Sequence, residues 1–241
     1  MSRVLSPVFT NPGFLPLGPP SLDRALGGGL QTGRLHEVMP AGVFHLGAAL
    51  GFALSLAARR PGDILFVQQD FAGTESGTLY GLGCEIFGLS PSRFLIVRAA
   101  RPKDALWAAE EGLRCAGIAT VIAELSEQAR DADLTATRRL TLAAQETNAL
   151  GLLLRQQIQK KPSAAATRWH IASALSQGDE FSGLGPTAFH LALTKNQHGP
   201  CGDWVVEWNQ HAKTFVSPPH SVALAAPAFD RPARTAEARI A

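Results

Sequence analysis

The stretch that most constrains this chain runs from Ser21 to Arg60, SLDRALGGGLQTGRLHEVMPAGVFHLGAALGFALSLAARR. It opens with four glycines, Gly27, Gly28, Gly29 and Gly33, which permit tight turns and positive φ. Leu35, Val38 and Met39 then supply the apolar part of a short strand, and Val43 to Arg60 reads as an Ala/Leu-rich helix without an interior proline. Strand, short loop and helix is the setting in which G-x-x-x-x-G-K-[ST] cradles phosphate. Here the loop is Met39-Pro40-Ala41-Gly42-Val43-Phe44-His45-Leu46-Gly47. Depending on a one-residue gap, the Lys position falls on Phe44, His45 or Leu46, and the hydroxyl position on Leu46 or Gly47. The setting of a nucleotide site is present without its lysine or its hydroxyl.

The rest of the chain repeats the strand–helix alternation. Ile64-Leu65-Phe66-Val67 and Phe94-Leu95-Ile96-Val97 are continuous apolar runs, expected as strands buried on both faces. Thr120 to Leu125 and Gly151 to Gln156 are two more strands. Helices are expected at Thr78 to Phe87, at Lys103 to Ala116, where Leu106, Trp107, Ala109, Glu110 and Leu113 fall at helical spacing, and at Leu134 to Asn148. This order predicts a mostly parallel sheet covered by helices, with sites at the strand C-termini. Beyond Ile158 the pattern changes. Arg168–Ile171, Ala188–Leu193 and Asp203–Trp208 read as strands, the last two forming an antiparallel hairpin packed on the sheet.

The expected division is an extended, Pro-rich arm over residues 1–20, an α/β domain over 21–216, and a flexible Pro/Ala/Arg tail over 217–241. The net charge of +2, from 22 Lys+Arg against 20 Asp+Glu, excludes nucleic-acid binding through bulk charge. Cys84, Cys115 and Cys201 are scattered without metal spacing, and no secretory signal opens the chain. A cytoplasmic protein without a metal, and without membrane association, is expected. No Ser sits in a G-x-S-x-G turn and no Cys/His pair has ligand spacing.

Leu22-Asp23-x-Ala25-Leu26-Gly27-Gly28-Gly29-Leu30-x-x-Gly33-Arg34-Leu35-x-Glu37 resembles the opening segment of RecA-type recombinases. The resemblance continues in order through Asp70, Glu124, Leu152-Leu-Leu-Arg-Gln156 and Lys195-Asn196, covering roughly residues 20–210. A RecA-like core with a degenerate P-loop and a Pro/Arg tail is most similar to the ImuA family. That resemblance implies a non-catalytic accessory protein of a damage-inducible (SOS) mutagenesis cassette that carries out translesion DNA synthesis. Its implied partners are an ImuB-like Y-family polymerase homologue and an error-prone replicative-type polymerase, with RecA and weak DNA binding as further candidates. Two alternatives remain open: an active RecA-type DNA-dependent ATPase, tested by nucleotide titration, and a SulA-like cell-division inhibitor, tested by filamentation on expression.

The resemblance also assigns positions. Pro40, Gly42, Phe44, His45 and Gly47 form the degenerate nucleotide loop, expected to be inactive, so no ATP or Mg²⁺ cofactor is expected. Asp70 falls where RecA-like ATPases carry the Glu that activates water, and Glu124 where an Asp ends the Mg²⁺-organising strand. Both are read as vestigial, Glu124 as a solvated carboxylate at a strand end. Gln156, Lys160 and Lys161 stand where recombinases begin a DNA-binding loop, and Lys195 where a recombinase Lys reaches the neighbouring subunit's nucleotide. These are candidate DNA or partner contacts. In the tail, Phe229, Arg231, Arg234 and Arg239 suit a segment that folds on a partner.

Overall fold

Ile64–Val67, Phe94–Val97, Thr120–Leu125 and Gly151–Arg155 become strands of one sheet. The computed structural model describes residues 13–126, 131–156, 161–176 and 185–218. In chain order, β1 (Phe14–Leu15) precedes α1 (Pro20–Ala25) and pairs antiparallel with β2 (Leu30–Gln31). β3 (Arg34–Pro40) leads through a 3₁₀ turn at Val43–His45 into α2 (Leu46–Ala58). Then come β4 (Asp63–Gln69), α3 (Asp70–Ser76), α4 (Gly81–Ile86), β5 (Phe94–Ala99), α5 (Pro102–Arg114), β6 (Ile118–Leu125), α6 (Leu134–Thr147) and β7 (Leu150–Arg155). The chain continues with β8 (Thr167–Ser173), β9 (Ala188–Asn196), β10 (Gly202–Asn209) and β11 (Thr214–Val216).

Among the described residues nine strands form one sheet in the order β11-β10-β9-β8-β3-β7-β6-β4-β5. From β8 to β5 the pairings are parallel, and β8, β9, β10 and β11 pair antiparallel. This is a RecA-like α/β core with antiparallel strands at its C-terminal end. The expected hairpin is therefore an edge-on extension of the same sheet, because β8 offers its free side to β9.

Strand alternation sends side chains to two apolar layers. Val38, Ile64, Phe66, Ile122, Leu152 and Leu154 pack against α2 on one face. Leu35, Leu65, Val67, Val121, Ala123 and Leu153 pack against α5 and α6 on the other. Helix α2 is buried along most of its length, from Gly51 to Ala58, as an all-apolar helix must be. Phe52 anchors it, with ring centroids 5.5 Å from Trp169, 6.3 Å from Phe189 and 5.6 Å from Phe215. These contacts tie the central helix to the antiparallel strands. The lead-in joins the same layer: Leu17 is fully buried, its carbonyl accepts from Phe215 N at 3.0 Å, and its N–H donates to Asp23 Oδ1 at 2.5 Å. Gly29, at φ +135°, is obligatory because a Cβ there would sit 2.6 Å from the Leu15 carbonyl group.

Two expectations need correction. The helix expected over Thr78–Phe87 is the shorter α4, Gly81–Ile86, and an unexpected helix, α3, precedes it, ended by Gly77 at φ +80°. Phe94–Val97, expected to be buried on both faces, forms the edge strand β5, where Leu95 and Ile96 are 57% and 51% exposed. An apolar run reports strand propensity, whereas burial depends on neighbours that are far away in sequence.

His36 of β3 is fully buried within this frame. Its Nε2 lies 2.8 Å from the Gln31 carbonyl, which can only accept, so Nε2 carries the proton. Nδ1 accepts from Thr167 Oγ1 at 2.8 Å, and that hydroxyl in turn accepts from Trp169 Nε1 at 2.7 Å. The ring is neutral. Desolvation, partly opposed by the Gln31 hydrogen bond, lowers its pKa from 6.5 to about 4. The unfolded chain takes up this proton first as pH falls. Stability from neutral burial is therefore complete above pH 6.5 and is lost between pH 6.5 and about 4, by roughly 3 kcal/mol. Thermal unfolding of His36→Gln should show a lower Tm at pH 7 and a shallower fall from pH 6.5 to 5 than the parent. An unchanged slope would rule out His36 as its source.

Candidate functional site

The loop between β3 and α2 is short and tied down from one side. Pro40 ends β3 and is buried, and Ala41 N donates to the Ile171 carbonyl of β8 at 2.8 Å. Gly42 is extended, and the turn closes through His45 N to the Gly42 carbonyl at 2.9 Å. His45 Nδ1 accepts from Ser173 N at 3.1 Å, which uses the unprotonated nitrogen, and lies 3.4 Å from Ser173 Oγ. Gly47 sits in the first turn of α2 with open space around it. The residues pointing outward are apolar: Val43 is 66% exposed and Phe44 94%. A helix N-terminus attracts anions through its dipole and orphan N–H groups, yet this one presents an aromatic ring beside it.

The two vestigial acids part company. Asp70 opens α3 and meets Arg98 of β5 at 3.2 Å, both half-exposed. Glu124, expected to be solvated, is 2% exposed. Its Oε2 accepts from Gln68 Nε2 at 2.7 Å, and its Oε1 from Ser76 Oγ at 2.6 Å with Gln156 Nε2 at 3.4 Å. The reason is α3, which carries Ser76 over the end of β6. Gln68 Nε2 also reaches the Gly77 carbonyl at 2.8 Å, and Gln156 Nε2 the Ala72 carbonyl at 3.0 Å. The donors that hold Glu124 are all uncharged. Gln156, expected as a DNA contact, is instead 5% exposed and belongs to this cluster.

Lys195 is drawn into a second cluster, around Glu37 of β3, whose side chain is fully buried. Arg155 Nε lies 3.0 Å from Glu37 Oε1; Arg168 Nε and Ser163 Oγ each lie 2.8 Å from Oε2. Lys195 Nζ donates to the Ser163 carbonyl at 2.6 Å, and Arg155 also donates to the Ala132 carbonyl at 2.6 Å. Burial pulls both Arg155 and Lys195 below their ordinary pKa values, opposed by the Glu37 charge. His170 is likewise lowered, by burial and then by Arg168. Sequence reasoning noticed Glu37 only as part of a motif and missed the cluster. The available signal was charge inside apolar runs, Glu37 within RLHEVMP and Arg155 ending LGLLLR, since buried ions need partners. Lys161 is exposed, and its carbonyl accepts from Arg168 at 2.8 Å. Lys160, Phe229, Arg231, Arg234 and Arg239 lie outside the described residues.

No family model matches the chain. Protein ImuA from two strains of Caulobacter vibrioides is 31% identical to it over 242 residues, spanning 93% of this chain and 93% of that protein. The chain belongs to the ImuA family. In this ImuA-family chain the candidate residues thus fall into three separate groups: the Phe44–His45 turn, the neutral-donor cage of Glu124, and the ion cluster of Glu37. Asp70 pairs with Arg98, whose guanidinium lies against Gly73 beside Gln68 of the Glu124 cage.

Their energetic weights differ. Removing Glu37 leaves two guanidinium groups buried without their carboxylate, so Glu37→Ala should lower unfolding free energy by about 3–5 kcal/mol. Asp70→Ala removes an exposed pair and should cost at most about 1 kcal/mol. Urea denaturation of the two variants checks this ordering, and equal midpoints would contradict it.

Proposed function

We propose that this chain is a non-catalytic, RecA-like accessory protein of a damage-inducible mutagenesis assembly. In this reading it works in the cytoplasm with an ImuB-like Y-family polymerase homologue and an error-prone replicative-type polymerase, linking the polymerase-like partner to the lesion or to RecA filaments during SOS translesion DNA synthesis. Membership of the ImuA family supports this reading. The observation that carries its non-catalytic part is the solvent-facing Phe44, 94% exposed at the turn where a nucleotide-binding lysine is needed. The residues present fit magnesium nucleotide poorly. The turn offers no fixed cation, and the oxygens of Glu124 are engaged by Gln68, Ser76 and Gln156 instead of facing an ion. Among the described residues no cluster of three His, Cys, Asp or Glu side chains suits a metal, and no helix is long and apolar enough to cross a membrane.

In this reading the chain's task is partner contact. Exposed aromatic groups are the usual anchors of interfaces, and the tail residues Phe229, Arg231, Arg234 and Arg239 supply a second candidate contact in this proposal. Lys161 is the described candidate for weak DNA contact.

Calorimetric titration with Mg²⁺ and ATP, with and without single-stranded DNA, should show no saturable binding up to millimolar nucleotide. Micromolar binding with turnover would favour the recombinase ATPase instead. Co-purification with the ImuB-like partner should succeed for the full chain and fail when residues 217–241 are deleted. Equal capture by the deletion would move the contact from the tail to the α/β core.

A further inference from the structure

The two edges of the nine-stranded sheet are built differently. At one end β11 is three residues long and is followed by Ser217 and Pro218, a protected edge. At the other end β5 is six residues long, FLIVRA, and contains neither Pro nor Lys. Its six residues pair one-to-one with Ile64–Gln69 of β4 without a bulge. Among the described residues no strand lies on its outer side. Leu95 and Ile96 are 57% and 51% exposed, on opposite faces of the sheet. A long, regular, apolar edge strand is a template for another strand.

We infer that β5 pairs antiparallel with β5 of a second copy of this chain, joining two nine-stranded sheets about a two-fold axis. Head-to-tail extension would need β11 as the other edge, and β11 is too short and too closely followed by Pro218. Of the two edges β5 is the longer, and a β5–β5 contact uses the same surface twice and closes on itself. The axis stands perpendicular to the sheet, so each face continues into the same face of the partner, and opposed residues must share a face. Centring the axis on Ile96 sets Ile96 opposite Ile96, Leu95 opposite Val97, and Phe94 opposite Arg98. Both exposed apolar residues then meet apolar partners, and no like charges are opposed. Arg98, the one charge on the strand, already carries Asp70 as counter-ion at 3.2 Å. Moving the centre to Val97 would place Ile96 against Arg98 and lose this match. A strand pair this short falls at the weak end of specific interfaces, so the dimer forms in a concentration-dependent way.

Disulfide trapping tests the register in the full chain with Cys115→Ser and Cys201→Ser, the two exposed cysteines. Directly opposed residues have Cα atoms about 4.5–5.5 Å apart, within disulfide reach. Ile96→Cys should therefore give a covalent dimer under mild oxidation. Ser92→Cys should not, because its two copies would lie about 25 Å apart at ~3.3 Å per residue. In parallel, sedimentation velocity should show dimer at tens of micromolar for the parent. For Ile96→Lys it should show monomer, with dissociation raised at least tenfold and the urea midpoint unchanged. A parent that stays monomeric, cross-linking at Ser92→Cys as readily as at Ile96→Cys, or a dimer that survives Ile96→Lys would each overturn the inference.

Discussion

Glu37 is the charge on which the middle of this sheet depends. It lies on the central strand β3, directly opposite Arg168 on β8 and two positions from Arg155 along β7. A single carboxylate thus bridges both neighbours of the strand that carries the loop, and Ser163 and Lys195 extend the contact toward β9. The net energy of such a buried cluster is small, because desolvating the ions offsets most of their attraction. Its effect on register is larger. A one-residue slip of β8 would send Arg168 to the α2 face and bring Trp169 to face Glu37, leaving the carboxylate short of donors. The cluster therefore specifies the alignment of the parallel and antiparallel halves more than it adds to stability.

Glu124 shows the same residue type put to another use. Around Glu37 the donors include two guanidinium groups; around Glu124 they are two amides and a hydroxyl. A carboxylate that organises a metal must present lone pairs to it, and both Glu124 oxygens are already used within the cage. The cage exists because α3 begins directly at the end of β4, which also places Asp70 at the start of that helix, paired with Arg98. Loop and acids, which converge on one phosphate in a working site, here have separate partners: Ser173 for His45, Arg98 for Asp70, Gln68 and Ser76 for Glu124.

How much of this was legible in the sequence depends on the range of the interaction. The strands β3, β4, β6 and β7 and the helices α2, α5 and α6 were readable to within a few residues, since apolar runs and helical spacing are local signals. The mostly parallel, helix-covered sheet followed from strand–helix alternation, and its RecA-like character from the resemblance of Leu22–Glu37 and the strand ends to RecA-type recombinases. Helix α3 was missed: it is seven residues long and stops at Gly77 at positive φ, too short for a helical period to show. Site residues were found by position but not by environment. Glu124 and Gln156 sit where expected along the chain, yet their burial is set by Ala72 and Ser76, which are remote in sequence. The Glu37–Arg155 and Glu37–Arg168 pairs span separations of 118 and 131 residues, beyond any periodicity argument.

Ile64–Val67 and Phe94–Val97 make the limit concrete. Both are four apolar residues ending a short turn, and by composition they are interchangeable. β4 is enclosed between β6 and β5 with every residue from Ile64 to Gln69 buried, whereas β5 has β4 on one side alone. A chain that needed only to protect its edge would place a charge or a proline at the middle of β5; its one charge, Arg98, sits near the strand's end and is paired with Asp70. Keeping Leu95 and Ile96 there exposes apolar surface that hydration disfavours by on the order of 25 cal/mol per Å². A second strand laid against β5 removes that surface from water and supplies partners for its outer N–H and C=O groups in the same step. Strand addition thus resolves both features of the edge, its apolar side chains and the outer backbone groups that no described strand pairs, whereas covering by a loop would resolve only the first.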